Sequence, residues 1–275
     1  MTATAARRGA FVAARLRIFS GLVRFGFAAR ALTYGLIGGV SLALAFGAGR
    51  APVAPNQQGA LALVARAPLG RIVVFAIAVG LMSYAIWKLG QGLFGRGPEG
   101  GGGLRPFDRL ANTGGGLAYL VFFAVAVNVL VGTDSGDSNA PRDTAAGVLG
   151  WPGGPVFVGI AGVAMLLISL YQMRDGLRLG FVRDNKTEGM GVEEREVFVV
   201  LGRIGLVARA LVFALVGYFL LRTAIGYDAA HTVGIDGALY RVYEEPYGPW
   251  LMGTVAVGLL IFAAFSLLEG RHRRL

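Results

Sequence analysis

Six apolar runs, each about long enough to cross a bilayer, dominate this sequence of 275 residues. A hydrocarbon core about 30 Å thick is crossed by a helix of roughly 20 mainly apolar residues. The chain is 55% hydrophobic and 15% charged, so a water-soluble fold could not bury its apolar surface. The pattern predicts an all-α, polytopic membrane protein. The predicted spans are Phe25–Phe46, Leu69–Phe94, Gly114–Val131, Val156–Leu177, Leu206–Thr223 and Trp250–Leu268.

Residue types that support catalysis or cofactor binding are scarce in the sequence. It contains no cysteine and two histidines, His231 in a connection and His272 near the end. Thiolate nucleophiles, disulfides, iron–sulfur clusters and cysteine-ligated zinc are therefore excluded, and no histidine pair is placed to bind haem or a catalytic metal. The sequence also lacks a phosphate-binding loop with its lysine. We expect no catalytic residue, no metal site, no cofactor and no enzymatic activity.

Basic residues are divided unevenly between the two sides of the predicted spans. Twenty lysines and arginines fall on the side that holds both termini, and six fall on the other side. Because basic residues near span ends tend to stay cytoplasmic, this asymmetry predicts a multi-pass protein of the cytoplasmic membrane with both termini in the cytoplasm. It also accounts for the net charge of +10 without nucleic acid. The expected partners are the bilayer and its anionic headgroups, and a membrane-protein partner or a homo-oligomer stays open.

The predicted spans are flanked by two basic segments. In residues 1–24, apolar residues recur at helical spacing between arginines, which predicts a pre-helix lying in the headgroup layer. The alternative is a cytosolic tail that only fixes the orientation. Residues 271–275 form a short basic tail at the other end of the chain.

A unit of two spans, with a repeat distance of about 84 to 94 residues, occurs three times. The start of the first span recurs in the fifth span at a constant offset of 179 residues, and a weaker copy starts the third span. The equivalent positions are Arg24 and Arg30 in the first copy, Arg203 and Arg209 in the third, and Arg109 and Gly115 in the second. Gly115 therefore stands where an arginine is expected. The three units cover residues 25–94, 109–180 and 203–270.

The second span of each unit opens with a Pro-x-Gly motif, at Pro68, Pro152 and Pro246. Since each unit has two spans, all copies enter the membrane from the same side. We therefore expect three parallel helical hairpins around a pseudo-threefold axis. Short apolar stretches precede the prolines, such as 60–64 and 238–242. They are predicted to be exterior connectors too short to cross the membrane.

These features resemble a bacterial membrane family catalogued as domain of unknown function 1206, in which a pair of transmembrane helices occurs three times. The resemblance covers about Phe19 to Gly270 and rests on the arginine–glycine starts and the Pro-x-Gly openings. It implies the same architecture and residence in a membrane. It implies no particular reaction or ligand.

Charged side chains near the basic-side ends of the spans are the candidate functional residues. Asp175 and Glu269 occupy one repeat position, where the first copy has Gln91. A charge at such depth is costly unless it is paired, so we expect an arginine ring facing an acidic ring, with Arg209 paired to Asp175 or Glu269. The ring serves either as salt bridges that close the bundle or as a gate or headgroup site. Its members are Arg24, Arg30, Arg109, Asp175, Arg203, Arg209 and Glu269.

Gly80, Ala164 and Gly258 are equivalent positions at mid-membrane depth, where small side chains let helices approach closely. A packed interior of this kind favours a non-enzymatic structural or partner-binding component of the membrane. The alternative is a transporter or channel for a small solute or a lipophile along the pseudo-threefold axis. An intramembrane enzyme is the third and least favoured hypothesis. It would need an acid, a base, a metal site or a nucleophile placed together in the spans, and no such set can be assembled.

Overall fold

The computed structural model describes residues 3–46, 56–95, 106–132, 146–226 and 246–273, with side chains described from Ser20 onward, except that of Phe107. Within these ranges the regular structure is helical, and the β-type pairing is an isolated bridge between Asn185 and Arg273. Two short 3-10 turns, Gly180–Val182 and Thr187–Gly189, lie in the connection between Leu177 and Val192. The helices are α1 (Ala3–Phe46), α2 (Gln57–Ala65), α3 (Gly70–Phe94), α4 (Pro106–Val131), α5 (Gly154–Leu177), α6 (Val192–Gly226) and α7 (Gly248–His272).

Six of the described helices are long and apolar enough to cross a membrane, which confirms the predicted all-α fold and number of spans. They are α1 from Ser20, α3, α4 from Asp108, α5, α6 and α7. The largest difference from the predicted bounds is at α6, which begins at Val192 instead of Leu206. The additional turns are stabilised by Phe198, which is fully buried between the rings of Phe181 and Phe265.

The backbone of α1 is helical without a break from Ala3 to Phe46. The predicted boundary at residue 24, between a basic pre-helix and the first span, is therefore not an interruption of the helix. Val23 and Phe27, on either side of that position, are both buried in the same apolar cluster with α3. Burial against a neighbouring helix thus begins before the predicted start of the span.

The six long helices pack in the order α5, α6, α7, α1, α3, α4. The most extensive interfaces lie between repeat units, at α5–α6, α7–α1 and α3–α4, and smaller ones join α1 to α3 and α6 to α7 within units. In the described residues, α4 and α5 share no extensive interface, although both belong to the second unit. Only 22% of the apolar window of each is buried, against 44 to 61% for the other spans. The second hairpin is therefore open, unlike the other two.

Contacts between chain segments distinguish the two ends of the bundle. Asn185, in the connection between α5 and α6, pairs with Arg273 directly after α7. We call this the Arg273 end. At the opposite end, the ring of Phe46, where α1 finishes, packs edge-on against Trp250 at the start of α7, with 6.2 Å between ring centroids.

The Pro-x-Gly motifs that open α3, α5 and α7 share one backbone conformation, because the middle residue lies in the left-handed region in each copy. Steric contact explains why a glycine follows. A Cβ on Gly70 would overlap the carbonyl oxygen of Val64, in the preceding helical turn. A side chain is thus excluded at this turn. The left-handed residues are Leu69 (φ 60°), Gly153 (φ 79°) and Tyr247 (φ 64°).

The predicted connector at 60–64 forms part of the short helix α2, which contacts α1, α3 and α4. Ala60 and Leu61 are fully buried there and Leu63 is exposed, so one face of this segment packs against the bundle. Its N-cap residue Asn56 accepts a hydrogen bond from the backbone N–H of Gly59 at 2.7 Å. The equivalent segment at 238–242 lies outside the described residues.

Candidate functional site

A polar cavity of about 200 Å³ lies at the Arg273 end of the bundle. All six long helices and the connection between α5 and α6 contribute to its wall. Charged and hydrogen-bonding side chains dominate the lining, in contrast to the apolar interior elsewhere. They are Arg30, Tyr84, Lys88, Asp108, Asn112, Tyr119, Tyr171, Gln172, Asp175, Arg183, Asp184, Arg209, Glu269 and Arg273.

Arg30 of α1 is buried, and each of its three guanidinium nitrogens donates a hydrogen bond to a neighbouring helix. It donates from Nη2 to Glu269 Oε2 at 2.5 Å, from Nε to Ser266 Oγ at 3.1 Å, and from Nη1 to the Tyr84 hydroxyl at 2.7 Å. Glu269 and Ser266 are three residues apart on α7 and so share one face of that helix. Its guanidinium carbon also lies 4.6 Å from the centroid of the Phe27 ring. Arg30 therefore joins α1 to both α3 and α7.

Glu269 binds a second arginine, Arg273, four residues later in the chain. Arg273 Nη1 donates to Glu269 Oε1 at 2.8 Å, and Nη2 donates to Asp184 Oδ2 at 3.0 Å. Burial opposes the positive charge, but these two carboxylates outweigh it and raise the pKa of Arg273 above its ordinary value. From the sequence, Arg273 is predicted only to be part of a basic tail, and this ion-pairing role is not predicted. The i, i+4 spacing of a glutamate and an arginine was the available signal.

Arg209, the repeat equivalent of Arg30, has different surroundings. Its Nε donates to the Tyr34 hydroxyl at 2.8 Å, and its guanidinium carbon lies 4.6 to 5.1 Å from the ring centroids of Tyr34, Phe213 and Phe262. Among the described residues, no carboxylate lies within ion-pair distance of Arg209, and neither Nη group donates a hydrogen bond. The structure thus does not bring Arg209 to Asp175 or Glu269, because both Glu269 oxygens are held by other arginines.

The cavity extends along the position where the third arginine of the repeat is missing. Gly115 of α4 lies in its wall, and a Cβ built on Gly115 would meet no atom within 4 Å. Nearby, Lys88 Nζ donates to Asn112 Oδ1 at 2.7 Å and lies 5.3 Å from the centroid of the Trp87 ring. A glycine at the arginine position of the second repeat therefore leaves open space in the wall of the cavity that Arg209 also lines.

Three buried polar side chains in the cavity wall each have an atom without a hydrogen-bond partner among the described residues. They are Tyr119, a residue 3% exposed, at its hydroxyl, Gln172, a residue 7% exposed, at Oε1, and Arg273 at Nε. The Tyr119 ring packs edge-on against Tyr84 with 4.5 Å between centroids, so its orientation is fixed by aromatic packing. Buried polar atoms without partners are rare, and here they lie in the wall of a cavity that can hold another molecule.

The predicted charge ring is divided by the structure. Arg30, Asp175, Arg209 and Glu269 line the cavity. Asp175 forms no ion pair within the described part of the chain. The other three predicted members lie outside the cavity. Arg24 and Arg203 are exposed, and Arg109 donates from Nε to Gly92 O at 3.0 Å and from Nη2 to Leu93 O at 2.7 Å, at the end of α3.

The three predicted packing positions also differ from one another. A Cβ on Gly80 would lie 2.5 Å from Ala29 Cβ, and a Cβ on Gly258 would overlap Ala208 Cβ, so close helix contacts occur at equivalent places in the first and third units. Ala164 is exposed on α5. The open second hairpin explains this difference, because α5 has no α4 surface to approach there.

The fold and the cavity define a class of protein: a multi-pass, all-helical membrane protein built from repeated helix pairs, with a polar cavity at one end. Across the described ranges, no cluster of three or more His, Asp or Glu residues could hold a metal ion. His272 lies with Nε2 3.0 Å from Glu194 Oε1, and His231 lies outside the described residues.

Comparison with known proteins places the chain in the family described as "Domain of Unknown Function (DUF1206)", to which it belongs through matches at residues 25–95, 111–178 and 204–273. The three matched segments correspond to the three repeat units. The chain is similar to "Uncharacterized protein YxxB" of Bacillus subtilis (strain 168), with 29% identity over 255 residues that cover 92% of this chain and 90% of the relative. No solved structure matches the chain.

Proposed function

We propose that this protein is a non-enzymatic component of the bacterial cytoplasmic membrane that binds a small polar ligand, or a polar group of a partner, in the cavity at the Arg273 end. The observation that carries the proposal is the cavity itself, with its unpartnered Tyr119 and Gln172 side chains. Its volume of about 200 Å³ is smaller than the pockets of roughly 300 to 1,000 Å³ that hold drug-sized ligands. A group the size of a lipid headgroup fits this space.

The packing in the opposite half of the bundle favours a ligand that binds at one end over a ligand that passes through the protein. The buried hydroxyls of Ser41 and Thr223 donate to carbonyl oxygens of their own helices, at Ile37 and Phe219. Large apolar side chains such as Leu44 and Met252 are fully buried there. A polar ligand would find neither space nor hydrogen-bond partners among these residues.

The orientation of the binding site follows from charge. The Arg273 end carries the connection between α5 and α6 and the last residues of α7, which belong to the side with twenty of the 26 lysines and arginines. Basic residues near span ends favour the cytoplasmic side. In this proposal both termini and the cavity therefore face the cytoplasm, next to anionic headgroups of the inner leaflet.

A second candidate function is transport of a small solute, and the open second hairpin is the observation that favours it. The described parts of α4 and α5 share no extensive interface, so these two helices could move relative to each other without breaking a packed surface. Flux measured in proteoliposomes tests this candidate directly. Uptake of a solute that depends on the cavity residues would favour transport over binding alone.

The chain has no cysteine, so one introduced thiol tests whether the cavity is accessible. Gly115→Cys places the thiol in open space at the cavity wall. Ser41→Cys, at a fully buried position, is the matched control. We expect the small neutral reagent methyl methanethiosulfonate to modify Gly115→Cys, a maleimide on a long polyethylene glycol chain to react far more slowly, and both reagents to leave Ser41→Cys unmodified. Equal protection of both cysteines would contradict the proposal.

A further inference from the structure

Arg30 and Arg209 are repeat equivalents, yet one is neutralised and the other is not. Arg30 faces Glu269 and uses its three donor nitrogens, whereas Arg209 uses only Nε within the described structure. A guanidinium stays charged at any physiological pH. Inside a membrane protein such a charge is costly without an anionic partner. The two free Nη groups of Arg209 form a planar fork of the kind that binds two oxygens of a carboxylate or phosphate.

Two further groups near this fork can donate hydrogen bonds. The Tyr119 hydroxyl has no partner in the described residues, and a hydroxyl can donate to an anion. The amide of Gln172 offers an N–H₂ group as well as an oxygen, and a half-turn of the amide exchanges their places. Both side chains line the same cavity as Arg209, and Gly115 in its wall has open space where a side chain would stand.

Acidic groups of the cavity wall lie nearer than Gln172 to the helix ends at the Arg273 end. Asp175 is one helical turn nearer than Gln172 to the end of α5, and Asp184 is half exposed in the connection that follows. Arg273 neutralises Asp184, and the exposed Arg183 lies beside it in the cavity wall. The part of the cavity around Arg209, which we call its deep part, therefore holds a positive charge without an ion pair among the described residues, and the part nearer the helix ends carries charges of both signs.

We propose that the deep part of the cavity binds a phosphate group, with Arg209 as its charge partner and Tyr119 and Gln172 as hydrogen-bond donors. This inference rests on the function proposed above. The phosphate can belong to the headgroup of an anionic lipid or to a soluble phosphate ester. The opening between α4 and α5 gives a lipid a lateral route to this site, because the described residues of these helices share no extensive interface.

The test uses the full chain purified in dodecyl maltoside and three probes: dihexanoyl phosphatidylglycerol, dihexanoyl phosphatidylcholine and glycerol phosphate. Thermal unfolding and isothermal titration measure binding. Phosphatidylglycerol or glycerol phosphate is expected to raise Tm, and the zwitterionic lipid is expected to have a much smaller effect. Arg209→Gln should abolish the rise, and Arg203→Gln, which removes an exposed arginine from the same helix, should leave it unchanged.

Tyr119→Phe keeps the test decisive if Arg209→Gln fails to fold, since it removes one unpartnered hydroxyl and nothing else. A hydrogen bond to a charged group contributes about 1.5 to 3 kcal/mol, so this variant should weaken binding of the phosphate probe roughly tenfold or more. Unchanged affinity in Tyr119→Phe and a folded Arg209→Gln would overturn the assignment, as would no binding of either anionic probe to the wild type. Binding of phosphatidylglycerol alone identifies a lipid source, and binding of glycerol phosphate alone identifies a soluble one.

The thiol in Gly115→Cys separates failure of this inference from failure of the proposed function. If the phosphate group binds beside Gly115, the anionic probe that binds should slow modification by methyl methanethiosulfonate at least several-fold, and phosphatidylcholine should not. A reactive thiol that neither anionic probe protects would leave an accessible cavity with a different ligand, and would overturn the phosphate assignment. An unreactive thiol would overturn both proposals.

Discussion

Arg30 of α1 and Glu269 of α7 form a buried ion pair with 2.5 Å between Nη2 and Oε2, although 239 residues separate them in the chain. Glu269 also holds Arg273 through its other oxygen. One carboxylate therefore binds two guanidiniums and joins the first span to the last. The stability of the Arg273 end should depend on this side chain more than on any other single charge in the cavity wall.

Replacing Glu269 by glutamine leaves two buried arginines without their shared counter-ion. Removing one partner of a buried pair typically costs about 3 to 5 kcal/mol, and we expect a loss of this order in the free energy of unfolding in detergent. Asp175→Asn is the matched control, because Asp175 is the repeat equivalent of Glu269 and has no ion pair among the described residues. Its expected change is below about 1 kcal/mol. Equal losses in both variants would contradict the shared role of Glu269.

Two tyrosines in the cavity wall should respond differently to loss of the hydroxyl. Tyr84 accepts a hydrogen bond from Arg30 at 2.7 Å, so Tyr84→Phe leaves a buried donor without its acceptor, at a cost of about 1 to 3 kcal/mol. The Tyr119 hydroxyl has no partner to lose, so Tyr119→Phe should be neutral or slightly stabilising without ligand. Thermal unfolding of the two variants in the same detergent measures the difference. A larger loss in Tyr119→Phe would show that its hydroxyl supports the fold.

The glycines at mid-membrane depth give a prediction about packing. Gly80→Ala and Gly258→Ala each place a methyl group against an alanine of the neighbouring helix, and overpacking of this kind costs about 1 to 3 kcal/mol. Ala164→Leu, at the equivalent exposed position on α5, should change stability by less than about 0.5 kcal/mol. Melting temperature and proteoliposome flux should be measured on the same variants. Unchanged melting with altered flux would favour transport over the proposed binding role.

The left-handed residue at the start of α3 predicts a stabilising substitution. Leu69 has φ 60° and is 75% exposed, so its side chain gains little from packing while its backbone is strained. Leu69→Gly should therefore raise the free energy of unfolding by about 1 kcal/mol. Ile72→Gly is the control, since Ile72 is also exposed but lies inside the helix, where glycine costs about 1 kcal/mol. Destabilisation by both substitutions would show that Leu69 is held by contacts of its side chain.

The orientation in the membrane can be tested in cells because the chain lacks cysteine. A membrane-impermeant thiol reagent should label Asn139→Cys and Asp228→Cys in intact cells, since both positions, which lie outside the described residues, are predicted to be on the side with few basic residues. Lys186→Cys, on the exposed connection at the Arg273 end, should be labelled only after the cells are opened. Strong labelling of Lys186→Cys in intact cells would reverse the proposed orientation.

Hydropathy alone was enough to locate the six spans, because the thickness of the bilayer sets the length of an apolar helix. The neighbours of each helix depend on packing that hydropathy does not encode. The sequence predicts that arginines lie near carboxylates. In the structure Arg30 pairs with Glu269, whereas Arg209 donates to the hydroxyl of Tyr34. The glycine at position 115 was visible as a departure from the repeat, but only the structure connects it with a cavity.

The burial of two short segments was the least predictable feature. From the sequence, Arg273 is predicted to lie in a basic tail, yet Glu269 and Asp184 hold it inside the bundle. The segment at 60–64 is predicted to be an exterior connector, but its sequence does not indicate that three helices enclose Ala60 and Leu61. Asp184 and these helices are distant in sequence, so local composition carries no information about them, and the i, i+4 spacing of Glu269 and Arg273 is the one local signal.

The pairing of the first span with the last has a consequence for biosynthesis. Ribosomes add roughly 5 to 20 residues per second, so Arg30 waits on the order of 10 to 50 s for Glu269, which is made 239 residues later. Tyr84 is made only 54 residues after Arg30 and is the first of its three side-chain partners to appear. We therefore expect the nascent chain to hold the charge of Arg30 at the membrane surface, or against the insertion machinery, until α7 arrives. A chain truncated before α7 should then be recognised and degraded as an unassembled membrane protein.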